Sequence, residues 1–341
     1  MNPVLVELTR GDLVESRHRG AVAIADASGK LAWSCGDVER PIYPRSAVKM
    51  LQALTLVESG AADAFALSDE ELALACASHS GEPFHVELVR AWLGRIGLDD
   101  NALSCGAPIG MDGRRLSRAH HNCSGKHTGF LTAARHLGLA TRGYERPDHP
   151  VQRRVLAAIA DMAGIDASGT PVAIDGCTAP AVALPLRALA TAFARIADPS
   201  RLAPDRAAAA LRLDSAVKAK PLYVAGTGRV CTTLINAAHG AASVKTGAEG
   251  VFVAAVSAQG LGVALKIDDG AARASETAIA AVLTGMSVVD DGDLAIEALS
   301  HGPVVNSIDQ PVGIRRISGW LRGELRGLRR DHAPDVARYS R

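Results

Sequence analysis

A serine and a lysine stand three residues apart at Ser46 and Lys49. On a helix, positions i and i+3 share a face, so this hydroxyl and this amine can come within hydrogen-bonding distance. Pro44 places Ser46 near a helix start, where unpaired N–H groups favour a developing negative charge. A lysine accepts the serine proton only as a neutral amine, which requires burial or a second cation nearby. The pair predicts a nucleophilic serine activated by lysine, although this spacing by itself recurs in many helices.

A second lysine stands in the segment Lys245-Thr-Gly247, on a predicted strand late in the chain. Its glycine would let another backbone or a ligand approach closely. A helical Ser-x-x-Lys followed by Lys-Thr-Gly on a C-terminal strand is the arrangement of penicillin-recognising enzymes. Those enzymes carry Ser-x-Asn between the two motifs, where this chain has Ser78-His-Ser80. The order of the motifs predicts Ser-Lys chemistry, in which the charge of Lys245 would favour a neutral Lys49.

The segment from His120 to His127 is dense in groups that bind metals or act as nucleophiles. Cys123 and Lys126 lie one helical turn apart on it, and Cys177 is a remote partner for them. Zinc prefers sulfur and nitrogen ligands, but neither Cys-x-x-Cys nor His-Glu-x-x-His spacing occurs here. From spacing alone three interpretations stay open: a metal site, a Cys123/His127 nucleophile and base, and buried structural cysteines.

The glycine-rich segment Ala225-Gly-Thr-Gly-Arg229 resembles half of a phosphate-binding loop. It lacks the third glycine and the Lys-Ser pair of the known motifs, so a turn is the better interpretation. If the segment is functional, Arg229 could bind a carboxylate through two hydrogen bonds.

These motifs need a scaffold, and the apolar periodicity predicts strands at both ends of the chain. Strand-like segments lie at 4–8, 21–24, 31–33, 243–246, 251–256 and 262–266. Segments of helical periodicity lie at 46–60, 68–76, 84–96, 125–137, 150–163, 183–197, 203–213, 230–238, 272–285 and 292–299. The order predicts the α+β class, with one sheet of N- and C-terminal strands and a helical subdomain inserted beside it.

The composition is that of a globular enzyme. Of 341 residues, 48% are hydrophobic and 21% are charged, which excludes a disordered or fibrous chain. The net charge of +1 argues against a broad surface for nucleic acid or membrane. No apolar run reaches the roughly 18 residues of a membrane span, and the polar N-terminus is unlike a signal peptide. The six scattered cysteines are not a disulfide framework, so we expect a cytoplasmic protein with reduced thiols.

Several segments taken together resemble one family, and they occur in the family's order: 44–52, 77–82, 121–127, 175–180, 225–229 and 245–250. On these segments the chain is similar to the rhizobial-type L-asparaginases, the asparaginase II family. The resemblance runs from about residue 5 to about residue 315, so we expect residues 1–315 to form a single catalytic domain. Residues 316–341 are a basic tail with no family counterpart, and the stretch 315–330 is expected to be a solvated helix face.

The resemblance implies a fold, a reaction and a set of site residues. The fold would be a three-layer αβα arrangement like that of serine β-lactamases and penicillin-binding proteins, in a homodimer. The reaction would be hydrolysis of L-asparagine to L-aspartate and ammonia. Two serine–lysine pairs would carry the catalysis: Ser46 with Lys49, and Ser78 with Lys245. A zinc ion that supports substrate binding would be held by Cys123, Lys126 and Cys177, and the substrate itself by Asp175 and Arg45.

The nucleophile stays open between two serines. In the first assignment Lys49 takes the proton of Ser46, which attacks the side-chain amide, and Ser78 relays protons. In the second assignment Ser78 is itself the nucleophile. The alternative function is a penicillin-recognising Ser-Lys hydrolase, against which the missing Asn after Ser78-His79 and the dense Cys/His segment both count.

Overall fold

A computed structural model describes residues 1–166 and 169–331, the last three without their side chains. The strands are β1 (Val4–Arg10), β2 (Leu13–Asp26), β3 (Leu31–Cys35), β4 (Pro41–Ile42), β5 (Val172–Ile174), β6 (Pro180–Val182), β7 (Leu184–Pro185), β8 (Ser243–Gly247), β9 (Val251–Val256), β10 (Leu261–Ile267), β11 (His301–Val305) and β12 (Pro311–Ile317). The α-helices are α1 (Lys49–Glu58), α2 (Ala61–Ala64), α3 (Asp69–Ala75), α4 (Pro83–Arg95), α5 (Ser124–His136), α6 (Pro150–Ala163), α7 (Leu186–Ala197), α8 (Pro204–Ala219), α9 (Pro221–Val224), α10 (Val230–Ala237), α11 (Ala272–Gly285), α12 (Leu294–Ser300) and α13 (Gly319–Asp331). Short 3₁₀ helices lie at Arg45–Val48, Asp100–Ala102, Arg118–His120 and Pro199–Arg201.

The two ends of the chain meet in one antiparallel sheet. Within the described residues its strands follow the order β11, β12, β1, β2, β10, β9, β8, and β3 pairs with the second half of β2. β2 is long enough to pair with β1 through its first half and with β10 through its second, where Ala23 faces Ala264. The predicted α+β class and the sheet of N- and C-terminal strands are confirmed.

Helices pack closely against this sheet. Every residue of β9 is buried, so the strand reads as a continuous apolar run without alternation. α7 packs against β2, β9 and β10, and α11 packs against β1, β9, β10 and β12. α7 crosses so near β10 that a side chain on Gly262 would meet the backbone of Ala190 and Ala194. The absence of a side chain at Gly262 therefore allows α7 to pack this close to β10.

The remaining helices include α1, which contacts α5, α6 and α8. Its residues from Lys49 to Leu56 are all buried. A helix that is buried on every side belongs to a core, where charged side chains are rare unless they have partners. The side chain of Lys49 is nevertheless in the interior, at 0% exposure. The burial of α1 thus carries an amine away from solvent.

Helix boundaries differ from the predicted ones where proline or packing intervenes. The segment 46–60 starts as a 3₁₀ helix and becomes α1 at Lys49. The helix predicted from 183 begins at Leu186, because Pro185 belongs to β7 and precedes the first helical residue. α8 continues past 213 to Ala219, since Ala216 and Val217 extend its buried face. Among the described residues, no helix combines the length and the apolar character that crossing a membrane requires.

The chain beyond residue 315 packs onto the rest of the molecule. β12 continues to Ile317, which pairs with Val6 of β1. α13 then packs against α11. The buried side chains of α13 are Leu321, Leu325 and Leu328. The packing therefore continues without a break across the predicted boundary at 315.

The basic character of this segment lies on the opposite side of α13. Arg322 and Arg326 are exposed, so the predicted solvated helix face is present, on a helix whose other face is buried. Residues 332–341 of the predicted tail lie outside the described part of the chain.

We expect Leu325→Ala to lower the free energy of unfolding by about 2–4 kcal/mol, because the truncation leaves a cavity between α13 and α11. Arg326→Ala, one residue further along and exposed, is the matched control and should change this free energy by less than about 0.5 kcal/mol. Urea unfolding followed by circular dichroism measures both. Equally small effects of the two variants would mean that α13 does not stabilise the domain.

Candidate active site

A serine lies between two buried lysines. The Nζ of Lys49 donates a hydrogen bond to Ser78 Oγ over 3.0 Å, and the Nζ of Lys245 donates to the same oxygen over 2.8 Å. The exposed fractions are 0% for Lys49, 1% for Lys245 and 7% for Ser78. α1 carries Lys49, the turn after α3 carries Ser78, and β8 carries Lys245. Three separate parts of the chain thus meet at one hydroxyl.

Backbone carbonyls complete the surroundings of both amines. Lys49 Nζ also donates to the carbonyl oxygens of Ala77 at 2.5 Å and Asn122 at 3.3 Å. Lys245 Nζ donates to the carbonyl oxygen of Thr246 at 2.8 Å. An amine removed from water loses its hydration, and these oxygens replace part of it.

The electrostatic surroundings favour a neutral amine at Lys245. Burial, followed by the positive charge of Lys49, lowers the pKa of Lys245 to about 7. An amine whose pKa lies near the working pH is well suited to accept a proton from a hydroxyl group. The sequence predicted that the charge of Lys245 would favour a neutral Lys49, whereas the structure shows the charge of Lys49 favouring a neutral Lys245.

The predicted pair of Ser46 and Lys49 is not hydrogen-bonded. Ser46 is half-buried, and no hydrogen bond within the described residues joins its hydroxyl to Lys49, whose three donors are directed to the groups named above. The turn of Ser46 is still held beside β8, because a side chain on Gly247 would meet the carbonyl oxygen of Pro44. The motif glycine therefore brings β8 into contact with the turn of Ser46, as its motif predicted.

The predicted substrate-binding residues, Arg45 and Asp175, contact each other. Arg45 Nε donates to Asp175 Oδ1 over 2.7 Å, and Glu249 Oε1 lies 4.0 Å from Arg45 Nη1.

Three residues of this region have left-handed backbone conformations: Arg45, Thr178 and Glu249, with φ of 54°, 76° and 59°. Such strain concentrates at functional sites, where the surrounding structure over-determines it. The only sequence signal for Glu249 was its place in the segment 245–250.

Cys123, Lys126 and Cys177 form a buried cluster next to Asp175. Lys126 Nζ donates to Cys177 Sγ over 3.0 Å, and each of the three residues is 3% exposed. A hydrogen bond from Cys177 is the main cause that holds the pKa of Cys123 well below its usual value, and the charges of Lys49 and Lys126 add to it. Burial disfavours a charge on Lys126, but the two sulfurs raise its pKa overall. The surroundings therefore favour negative charge at Cys123 and positive charge at Lys126.

The donor atoms of this cluster fit a zinc ion. Within the described residues no group of three or more His, Cys, Asp and Glu side chains is arranged to hold a metal. Cys123, Lys126 and Cys177 instead offer two sulfurs and one nitrogen, the elements that zinc prefers in proteins. The lysine would act as a ligand only after losing its proton, so binding would be linked to pH.

The geometry does not favour Cys123 as a nucleophile with His127 as its base. His127 Nδ1 lies 2.7 Å from the hydroxyl of Tyr144, which also accepts the N–H of Ser104 at 2.9 Å. The sulfur of Cys123 lies 3.1 Å from Asn122 Oδ1. The structure pairs His127 with a tyrosine instead of a thiol. All six cysteines carry free thiols.

A second histidine, His79, ties the turn of Ser78 to α5. Its Nδ1 accepts the N–H of Gly81 at 3.1 Å, which leaves Nε2 to donate to Ser124 Oγ at 2.9 Å. Ser124 in turn donates to the carbonyl oxygen of Ala119 at 2.8 Å. Burial lowers the pKa of His79 well below its usual value, so the ring is neutral. The only sequence signal for this histidine was its place in the Ser78-His-Ser80 segment.

Similar proteins exist among solved structures and in a protein family. The crystal structure of Mglu in its native form shares 14% identity at a TM-score of 0.47, covering 86% of this chain and 70% of that one. A beta-lactamase from Mycobacterium bovis shares 15% identity at a TM-score of 0.40, covering 78% of this chain and 94% of the other. No curated protein sequence matches the chain. The family model of L-asparaginase II matches residues 6–317, nearly the whole length. The protein therefore belongs to the L-asparaginase II family.

Proposed function

We propose that this protein hydrolyses L-asparagine to L-aspartate and ammonia by Ser-Lys catalysis. The observation that carries the proposal is the hydroxyl of Ser78 between two buried lysine amines, within a chain of the L-asparaginase II family. An amide resists attack by an ordinary alcohol, so the enzyme must remove the proton of a serine at neutral pH. An amine with a pKa of about 7, as at Lys245, supplies that capacity.

In the proposed first step Ser46 attacks the carbon of the side-chain amide. Lys49 first passes a proton through the hydroxyl of Ser78 to the neutral amine of Lys245, and the neutral amine of Lys49 then takes the proton of Ser46. The hydrogen bonds of 3.0 Å and 2.8 Å at Ser78 support this path. The Ser46 hydroxyl has to turn toward Lys49 when substrate binds, and catalytic hydrogen bonds often tighten in this way.

The later steps reverse the proton movement. Backbone N–H groups near the start of the Ser46 helix would hold the oxyanion of the tetrahedral intermediate. Lys245 returns its proton through Ser78 and Lys49 to the leaving nitrogen, and ammonia departs. Water then attacks the ester at Ser46, with the same groups accepting its proton and restoring the serine.

Asp175 is proposed to bind the ammonium group of the substrate. Its Oδ1 accepts hydrogen bonds from Arg45 Nε and from the N–H of Gly176 at 2.8 Å. Its Oδ2 has the sulfur of Cys177 at 3.9 Å, a weak contact that leaves this oxygen available to a stronger donor. Arg45 would hold the carboxylate of Asp175 in place for this contact.

We propose that Cys123, Lys126 and Cys177 hold a zinc ion. When bound there, zinc would supply a positive charge that helps to position the substrate. The protein side chains orient that region without it, because Lys126 contacts Cys177 and Cys177 lies beside Asp175.

The finer features implied by the resemblance stay proposals. They are the three-layer arrangement of the β-lactamase type, the homodimer and the cytoplasmic location. Selectivity for asparagine over glutamine would depend on pocket length, where one methylene contributes only about 1–3 kcal/mol.

Ammonia release from L-asparagine tests both the activity and the nucleophile. We expect Ser46→Ala to reduce kcat by about 10³-fold or more, since the acyl-enzyme cannot form. Ser78→Ala should reduce kcat by about 10²-fold, because proton transfer loses its path. Ser34→Ala, an exposed serine on β3, is the control. Acid quenching followed by peptide mapping should place the acyl group on Ser46.

Three results would change this proposal. Activity retained in Ser46→Ala and abolished in Ser78→Ala would make Ser78 the nucleophile. No ammonia from the parent protein, even with zinc supplied, would overturn the asparaginase activity. Turnover of a β-lactam by that inactive parent would favour the penicillin-recognising alternative.

The pH dependence should follow Lys245. Since this amine acts only when neutral, kcat/KM should rise about tenfold per pH unit below its pKa and level off above it. The bend should lie at about pH 7. Lys245→Arg keeps the charge but cannot release a proton, so it should be inactive at every pH. A flat profile between pH 5 and 8, or an active Lys245→Arg variant that folds like the parent, would contradict this role.

Zinc binding is measurable without activity. We expect elemental analysis to find about one zinc per chain, and Cys177→Ala to lose most of it because two donors are too few. Cys35→Ala, on β3, is the control and should keep its zinc. Equal zinc in both variants, or none in the parent after incubation with zinc, would exclude this site.

A further inference from the structure

Arg229 is a positive charge at the site that the proposed mechanism does not use. It is half-buried and immediately precedes α10. Its Nη1 donates to Ser80 Oγ over 3.1 Å. Within the described part of the chain, no carboxylate forms a salt bridge with this guanidinium group, although the charges of Glu82 and Glu276 lie near it.

Two loops hold Arg229 beside the turn of Ser78. The N–H of Ser78 donates to the carbonyl oxygen of Val224 at 2.9 Å, and Ser80 Oγ donates to that of Ala225 at 3.1 Å. The carboxylate of Glu82 accepts both the N–H and the hydroxyl of Thr227, each at 2.8 Å. These four bonds join the segments 78–82 and 224–229 into one unit.

The close contact between the segments 78–82 and 224–229 requires glycine at position 226. Gly226 has φ of +120°, and a side chain on it would meet Ser80 and Glu82. The carboxylate of Glu82 is already bound to Thr227, so the guanidinium group of Arg229 keeps donors for another partner. The Gly-rich segment is a turn, as predicted, and it delivers an arginine to the site.

The charge of Arg229 also reaches the catalytic lysine. After burial and Lys49, it is among the influences that lower the pKa of Lys245. The other arginine of the site differs, because Arg45 has Asp175 at 2.7 Å and Glu249 at 4.0 Å. Arg45 therefore lies next to carboxylates, whereas Arg229 forms no salt bridge with a carboxylate among the residues that the structure describes.

We propose that Arg229 binds the α-carboxylate of the amide substrate, with Ser80 orienting the guanidinium group. The inference rests on the proposed function and deepens it. Guanidinium groups bind carboxylates through two parallel hydrogen bonds, and an arginine without a carboxylate partner binds an incoming one without breaking an existing pair. Asp175 takes the ammonium group of the same substrate. The two sites together select amides that carry both charges over simple amides.

The test compares L-asparagine with two analogues, each lacking one charge. Succinamate lacks the ammonium group, and 3-aminopropanamide lacks the α-carboxylate. Arg229→Met should raise KM for L-asparagine and succinamate by about 10- to 100-fold, the loss of a charged hydrogen-bonded pair. It should leave the KM for 3-aminopropanamide within about twofold of the parent value, since that compound has no group for Arg229 to bind. Arg229→Lys should recover part of the lost affinity, because lysine keeps the positive charge but cannot form the two parallel hydrogen bonds of a guanidinium group.

The assays are run at pH 8, above the pKa of about 7 of Lys245 and low enough for the ammonium group of the substrate to keep its proton, and ammonia is the product measured. Arg322→Met, an exposed arginine on α13, is the control. An equal rise in KM for all three compounds would show a structural role and overturn the inference. An unchanged KM for L-asparagine would overturn it as well. A parent protein that releases no ammonia from L-asparagine would instead overturn the proposed function, and the substrate assignment with it.

Discussion

The burial of two lysine amines against one hydroxyl is the interaction on which the site depends. Each amine loses hydration in the interior, and the two positive charges repel at short range in a medium of low dielectric constant. They stay together because α1 is buried along most of its length and β8 is held between β9 and the turn of Ser46. The repulsion is relieved when Lys245 gives up its proton, which is the state that a base requires.

The segment 78–82 connects the other parts of the site to this pair of amines. His79 links it to α5, the helix that follows Cys123 and carries Lys126. Ser80 and Glu82 link it to the turn that ends at Arg229. The two buried amines, the thiol cluster and Arg229 are therefore fixed relative to one another by neighbours of Ser78. Motifs scattered through the chain lie together for this reason.

The charged groups around the site are stabilised in different ways. Arg45 and Asp175 form a close ion pair, and Lys126 lies against the sulfur of Cys177. Lys49 and Lys245 are surrounded by carbonyl and hydroxyl oxygens, which accept hydrogen bonds but carry no full charge. Paired groups are stable as ions, whereas a buried amine beside a second cation is disfavoured as an ion, as the lowered pKa of Lys245 shows.

Local pattern was enough to predict the α+β class and most of the longer helices, because periodicity and turn residues act over a few neighbouring positions. It missed β11 and β12, the two strands that lie beyond β1 in the main sheet. It also identified Ser46, Lys49 and the Lys-Thr-Gly lysine as candidates for chemistry. Spacing did not predict that Ser78 would be the hydroxyl shared by both lysines, nor that burial would act so strongly on Lys245. Those features depend on segments far apart in the chain, whose distances and exposure exist only after the helices have packed beside the sheet. Spacing left the role of Cys123, Lys126 and Cys177 open between a metal site, a nucleophile and structural cysteines, and only folding brings Cys177 to within 3.0 Å of Lys126.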